Sequence, residues 1–210
     1  MLQRLLYQRK YRDSPFATLF QYYRGPEFVA LDLETTSLDT KQADIVSIGA
    51  VIIREQRILS SQCFDVKVRS TEKLAADSIK IHRLRHSDLE QASQLEEALP
   101  KLLDFIGPRP IVGYNIAYDQ RILNRFCRQL YGFKLVNPLI DVGRMFADKV
   151  HVDHVGISPN LDLVHICQTL GIPLSGRHQA IDDAITAAMI YLRLQFGPRP
   201  THAIPQAISA

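Results

Sequence analysis

Hydrophobic positions follow two different periods along this chain. Leu2, Leu5 and Leu6, then Phe16, Leu19, Phe20 and Tyr23, are interleaved with Arg4, Arg9, Lys10 and Arg12, the spacing of one or two short amphipathic helices. Such a stripe either packs on a main domain or meets a membrane surface, a partner or nucleic acid. After a turn at Gly25 and Pro26, apolar runs over residues 28–34, 45–53 and 58–68 predict three strands. The short polar link Arg54-Glu55-Gln56-Arg57 predicts an antiparallel hairpin between the last two.

From Ser93 the period becomes helical. Leu95, Leu99, Leu102 and Ile106 share a face, Ser93 and Glu96 have capping-box spacing, Pro100 predicts a kink and Gly107 a stop. A short strand Ile111-Val112-Gly113 follows, then a helix carrying Ile122, Leu123, Phe126 and Leu130 that ends near Gly132, then an apolar stretch at Leu139-Ile140. Ser158 and Pro159 are placed to start a helix over Leu161 to Leu170 with Gly171 as its stop, and a last helix runs through Ile181, Ala184, Ile185, Ala188, Met189 and Leu192. Three antiparallel strands followed by alternating helices and strands predict an α/β fold, a mixed sheet flanked by helices. The organisation expected is a helical extension over residues 1–24, one domain over 25–196 and a flexible tail over 197–210.

Composition narrows this picture only slightly. With 46% hydrophobic residues over 210 positions, the chain can bury the core of one compact domain. Its 25 basic and 22 acidic residues give a net charge of +3, which permits a nucleic-acid partner without arguing for one. Cys63, Cys127 and Cys167 are far apart and show no zinc or redox spacing, which suits a reducing, cytoplasmic setting. No apolar run reaches the length of a membrane span.

The candidate chemistry is acidic. Asp32 and Glu34 are two apart in an apolar strand, so both side chains leave the same face while Val29, Leu31 and Leu33 take the other. Burial of two such carboxylates costs several kcal/mol, on the order expected for desolvated charges, unless a hard cation compensates; the alternative is an exposed strand end. Asp119 starts a helix, where an acidic cap is ordinary chemistry. His178 and Asp183 lie at the mouth of the last helix, where a histidine and a carboxylate can meet, or where Asp183 lies on a solvated face opposite the apolar stripe.

Three segments in order, FVALDLETTSL, IVGYNIAYDQRIL and RHQAIDDAITAAMIYL, together with the linking segments IKIHRLRHSDL and LDLVHICQTLGIPLSGRH, resemble the DnaQ-like DEDDh exonucleases of ribonuclease H-like fold over roughly residues 27 to 195. Two features depart from the family pattern: Tyr114 in Gly-Tyr-Asn, where the family often has His, and the basic Arg83-Leu84-Arg85 after His82.

What the resemblance implies is a metal-dependent 3′-to-5′ exonuclease that releases nucleoside 5′-monophosphates, with single-stranded DNA favoured and RNA trimming by the same site as an alternative. A non-catalytic nucleic-acid-binding or polymerase-associated module is the alternative of another class, and a polymerase or other protein is an expected partner. Asp32, Glu34, Asp119 and Asp183 would hold two divalent cations, Mg²⁺ with Mn²⁺ as a substitute. Asp32 would bridge the ions, Glu34 and Asp183 would complete the tighter site and Asp119 would support the looser one. Asp182 becomes the neighbour of the ligand. His178 would take the proton from the attacking water, a role suited to a side chain with an unperturbed pKa of about 6.5. Thr35, Thr36 and Leu38 would hold the terminal nucleotide through backbone amides and an apolar wedge. His82 and Tyr118 would contact its sugar or base. Packing explains Leu38, and structural roles explain His82 and Tyr118, about as well.

Overall fold

The computed structural model describes residues 2–70, 72, 74–75, 78–79, 82–153, 160–174 and 178–198. Its centre is one five-stranded sheet in the order β3-β2-β1-β4-β5. Strands β1 (Glu27–Thr35), β2 (Ile45–Arg54) and β3 (Arg57–Lys67) form an antiparallel meander. Strands β4 (Ile111–Gly113) and β5 (Leu139–Asp141) join it in parallel. The polar link at Glu55 and Gln56 is the hairpin turn the patterning predicts.

The alternation in β1 decides which core each side chain joins. Val29, Leu31 and Leu33 enter a core shared with Leu99, Leu102, Leu103 and Ile106 of one helix (α3, Leu95–Ile106), and with Ile122, Leu123 and Cys127 of the next (α4, Ala117–Tyr131). A short helix, α2 (His86–Leu89), precedes these two. Ala30 and Phe28 face the opposite core, built with α5 (Val142–Asp153), α6 (Leu163–Leu170) and α7 (Ala180–Phe196). On that second face Ala184, Ala187 and Ala188 are all buried, and their short side chains let α7 sit low on the sheet.

The N-terminal stripe forms α1 (Leu2–Lys10) and a 3₁₀ turn at Ala17–Phe20. Tyr7, Tyr11, Phe16 and Phe20 surround Phe133 with ring centroids 6.4, 5.3, 5.1 and 5.1 Å away, tilted or edge-on contacts of the kind aromatic quadrupoles favour. Leu2, Leu5 and Leu6 remain exposed.

Two helix starts differ from expectation. Gln94 caps α3 and the Ser93–Glu96 box does not form, because Ser93 is already paired: it bridges Val68, and its carbonyl accepts from the Arg69 amide at 2.9 Å. Helix α6 starts at Leu163 under Asp162, whose Oδ1 accepts from the Val164 amide at 2.9 Å; Ser158 and Pro159 lie outside the described residues. Helix α5 is not among the elements predicted from the sequence. Its signal is Asp141, whose Oδ1 accepts from the Gly143 and Arg144 amides, followed by buried Val142, Phe146 and Val150. Helix α3 continues through Pro100 to Gly107, which takes φ 51° and donates its amide to the Leu103 carbonyl.

Candidate active site

Asp32 and Glu34 leave the α7 side of β1, beyond Ala30. The cross-strand partner of Asp32 is Gly49 and that of Glu34 is Ser47. A Cβ on Gly49 would lie 2.1 Å from the Ala180 carbonyl carbon and the Ile181 nitrogen, so only glycine lets the backbone that opens α7 rest on β2 beside Asp32. That close approach delivers Asp183. Ligand oxygens of Asp32, Glu34 and Asp183 all lie within 4.8 Å of one another.

The fourth acid reaches the same neighbourhood by another route. Asp119 lies in the first turn of α4, yet it does not cap that helix: Ile116 occupies the cap without a side-chain bond. Instead Asp119 is buried and its Oδ1 accepts from the Leu33 amide, between the two β1 acids, at 3.1 Å. It stands outside the group of three that share the 4.8 Å sphere.

Burial and crowding of the acids set the electrostatics. Burial, then the charges of Asp119, Glu34 and Asp183, drives the Asp32 carboxyl well above the ordinary range. Glu34 is pushed up to about 7 by burial and by Asp183. Asp119 rises to about 8, chiefly through burial, against the pull of its own amide and that of Leu33. Clustered carboxylates that cannot all ionise alone are the donor set a hard divalent cation satisfies. The residues present therefore fit such an ion, with Asp32, Glu34 and Asp183 as the ligands in reach.

A cleft of about 610 Å³ opens on this cluster, lined by Glu34, His82, Arg83, His178, Lys67 and Asp65 among others. His178 holds φ 69° and donates its amide to Asp183 Oδ2 at 3.0 Å. Arg83, which also lines the cleft, holds φ 60°. Positive φ in a non-glycine residue costs of order 1–3 kcal/mol and persists where surrounding structure enforces it. His82 is buried, its Nδ1 accepts from the Leu84 amide at 3.0 Å, and burial lowers its pKa, with the charge of His178 adding to the effect.

The loop after β1 is tied at both ends. The Thr35 hydroxyl and the Tyr118 hydroxyl are 2.9 Å apart, and both reach the Ser37 carbonyl. Thr36 is engaged within the loop, its amide with the Asp44 carbonyl and its hydroxyl with the Asp44 amide. Leu38 is 72% exposed, so packing does not account for it. Tyr114 donates to the Leu161 carbonyl at 2.8 Å. Sequence reading missed Gly49 and the β3 side chains of the cleft; a glycine inside an otherwise apolar strand is the signal that marks the first.

Comparison with known proteins identifies the family and the fold. The RNase_T family model, described as exonuclease, matches residues 29–191. Relatives include a PolC-type DNA polymerase III of Thermotoga maritima, 30% identical over 166 residues, which are 79% of this chain and 12% of that protein. Another is the DNA polymerase III epsilon subunit of Aquifex aeolicus, 26% identical over 170 residues, covering 80% of this chain and 79% of that one. The chain thus spans about an eighth of the PolC-type relatives and most of the epsilon subunit. E. coli Exonuclease I in complex with a dT13 oligonucleotide shares the fold at a TM-score of 0.71, with 13% identity over 82% of this chain and 41% of that one. Among the described residues, no helix is long and apolar enough to cross a membrane. With the RNase_T model spanning β1 to α7 and the mixed sheet that of the ribonuclease H-like exonucleases, the chain belongs to the DnaQ-like exonuclease family.

Proposed function

We propose that this chain is a 3′-to-5′ exonuclease that removes nucleoside 5′-monophosphates from the ends of single-stranded DNA. The observation that carries the reading is the meeting of Asp32, Glu34 and Asp183 within 4.8 Å, beside an open cleft that Glu34 and His178 line. Relatives named for DNA polymerase III support DNA as the substrate. The domain proposed is that of residues 25–196, with 1–24 as a helical extension; the expected tail lies, from residue 199 on, outside the described residues.

Asp32, Glu34 and Asp183 would hold divalent cations, Mg²⁺ or Mn²⁺, and Asp119 would support a second, looser position. Bound there, the ions supply Lewis-acid stabilisation of charge in an in-line displacement at phosphorus. The chain's own groups do the rest. Asp119 keeps β1 in register with the start of α4 through the Leu33 amide. Asp183 fixes the His178 backbone, so that the imidazole can face the attacking water and take its proton. Exposed Leu38 wedges against the terminal base, with Tyr118 and Thr35 holding the loop that presents it.

Matched DNA and RNA oligonucleotides, labelled at the 5′ end in one set and at the 3′ end in another, test this with Mg²⁺ or Mn²⁺ present. The expected products are a ladder shortened from the 3′ end and free mononucleotides, faster on DNA. Shortening from the 5′ end, or no mononucleotide with either ion, would overturn the reading.

A further inference from the structure

A second depression, of about 640 Å³, lies along the outer face of α4, and its charged lining residues are all basic. Lys41, Arg121, Arg125, Arg128 and Lys134 line it, and no acidic residue does. Residues 121, 125 and 128 follow helical spacing on one face, the face that Tyr118 shares at its start and that points away from buried Asp119.

The depression is built. Arg125 reaches back to the loop, its Nη1 donating to the Lys41 carbonyl at 3.2 Å and its Nη2 to the Ala43 carbonyl. Asp39 accepts from the Lys41 amide at 3.0 Å, and Asn124 accepts from the Leu135 amide at 2.7 Å. Loop and helix are thereby fixed as two walls. Lys41, Arg121 and Arg128 are exposed, and among the described residues no carboxylate forms an ion pair with any of them. In a protein whose net charge is only +3, five basic side chains lining one groove, none of them in an ion pair among the described residues, are a local concentration that the overall composition hides.

Its position connects it to the acidic cleft. The loop that leaves β1 at Thr35 carries exposed Leu38 and then Thr40 and Lys41, which form the groove wall. From Arg121 to Arg128 the helix rises ~10 Å at about 1.5 Å per residue, room for about three phosphates at the ~3.4 Å spacing of one strand in a duplex. Single strands, more extended, would place fewer there. We infer that this groove binds the phosphate backbone of the strand whose end lies at the acids, gripping nucleotides upstream of the one being removed. This rests on the exonuclease reading for where the strand ends, and on the groove alone for the contact.

The test separates the two. Binding of dT3 and dT20 is measured in EDTA, where cleavage plays no part, for the native chain, for Arg121→Gln/Arg128→Gln, and for a charge-matched control, Arg57→Gln/Lys101→Gln, whose residues are exposed elsewhere. The expected result is that dT20 binds the native chain at least about tenfold more tightly than dT3. The groove variant should lose most of that advantage while the control keeps it. Loss of two phosphate contacts should also flatten the slope of log affinity against log salt by about 1.4. Equal binding of dT20 by the groove variant and the native chain would overturn the inference, as would an equal loss in the control. A chain that cleaves nothing yet shows the groove-dependent preference for dT20 would count against the exonuclease reading and leave the groove standing.

Discussion

The interface between β1 and α7 is one surface with two opposite ends. At one end Phe28 packs at a tilt against Tyr191 with centroids 5.1 Å apart, and Ala30, Val51, Ile53, Ala188 and Leu194 complete a hydrocarbon core. At the other, two and four residues along the same strand face, Asp32 and Glu34 meet Asp183. Strand geometry and helix packing are shared, and only the side chains and Gly49 differ. The apolar end gains from burial, at roughly 25 cal/mol per Å² of apolar surface, whereas the acidic end loses by it unless a cation is present. The hydrocarbon end thus holds in place a cluster that would otherwise push itself apart.

The largest effects should come from breaking the acidic end. Asp32→Asn removes a central carboxylate and should lower turnover by roughly 10³-fold or more, the rate equivalent of several kcal/mol of lost cation-assisted stabilisation. The same variant should melt higher than the native chain in EDTA, since a carboxyl whose ionisation burial and its acidic neighbours oppose is gone. His178→Ala should lose about 10²- to 10⁴-fold in turnover while keeping its melting-temperature rise on adding Mn²⁺. Near-normal turnover in that variant would remove His178 as the base, and loss of the Mn²⁺ response would make it architectural.

Gly49 joins the two ends, and it was the hardest part of the site to read from sequence. The β1 acids are legible because a strand has period two, and α7 because its apolar stripe is regular. Gly49 becomes meaningful only through the pairing Asp32–Gly49 and the crossing of α7 above it, neither of which has a local signature. Likewise Ser93 looks like a helix cap until Val68 pairs with it. Asp65, Lys67 and Arg83 converge on the cleft only through tertiary placement. Helix α5 was legible in principle from Asp141 and the buried positions after it. Gly49→Ala should cost about 3 kcal/mol, the upper range for overpacking, because the atoms it meets are backbone. Denaturation midpoints would measure it, and a loss below 1 kcal/mol would show that α7 can lift off the sheet freely.

The acidic end should also give stability an unusual pH dependence. Glu34 at about 7 and Asp119 at about 8 are both raised above ordinary carboxylates, so folding favours their protonated forms. That stabilising contribution is full below the unfolded-state pKa, near 4, and is lost as pH rises through 7 and 8. In EDTA the melting temperature should therefore fall between pH 6 and pH 8.5, by roughly 5 °C on the scale that relates stability to melting for domains of this size. Saturating Mn²⁺ should abolish the fall by neutralising the cluster. A flat profile in EDTA would mean that the carboxylates ionise without mutual cost, and the site would need another explanation for its crowding.

The smallest effect should come from the hydrocarbon end, and it tests whether the two ends are energetically separate. Phe28→Leu keeps an apolar side chain of reduced volume against Tyr191 and loses the ring contact, a change worth about 1 kcal/mol of stability. If the apolar end only anchors α7, turnover and the Mn²⁺ response should stay within twofold of the native values while the melting temperature drops slightly. If small shifts of α7 pass along its length to Asp183, the same substitution should weaken the Mn²⁺ response without touching any ligand. Because Gly49 seats the first residues of α7 on β2 directly beside Asp32, four strand positions from the Ile53 that pairs with Phe28, the helix start is held independently of its far end, and the first outcome is the one this packing implies.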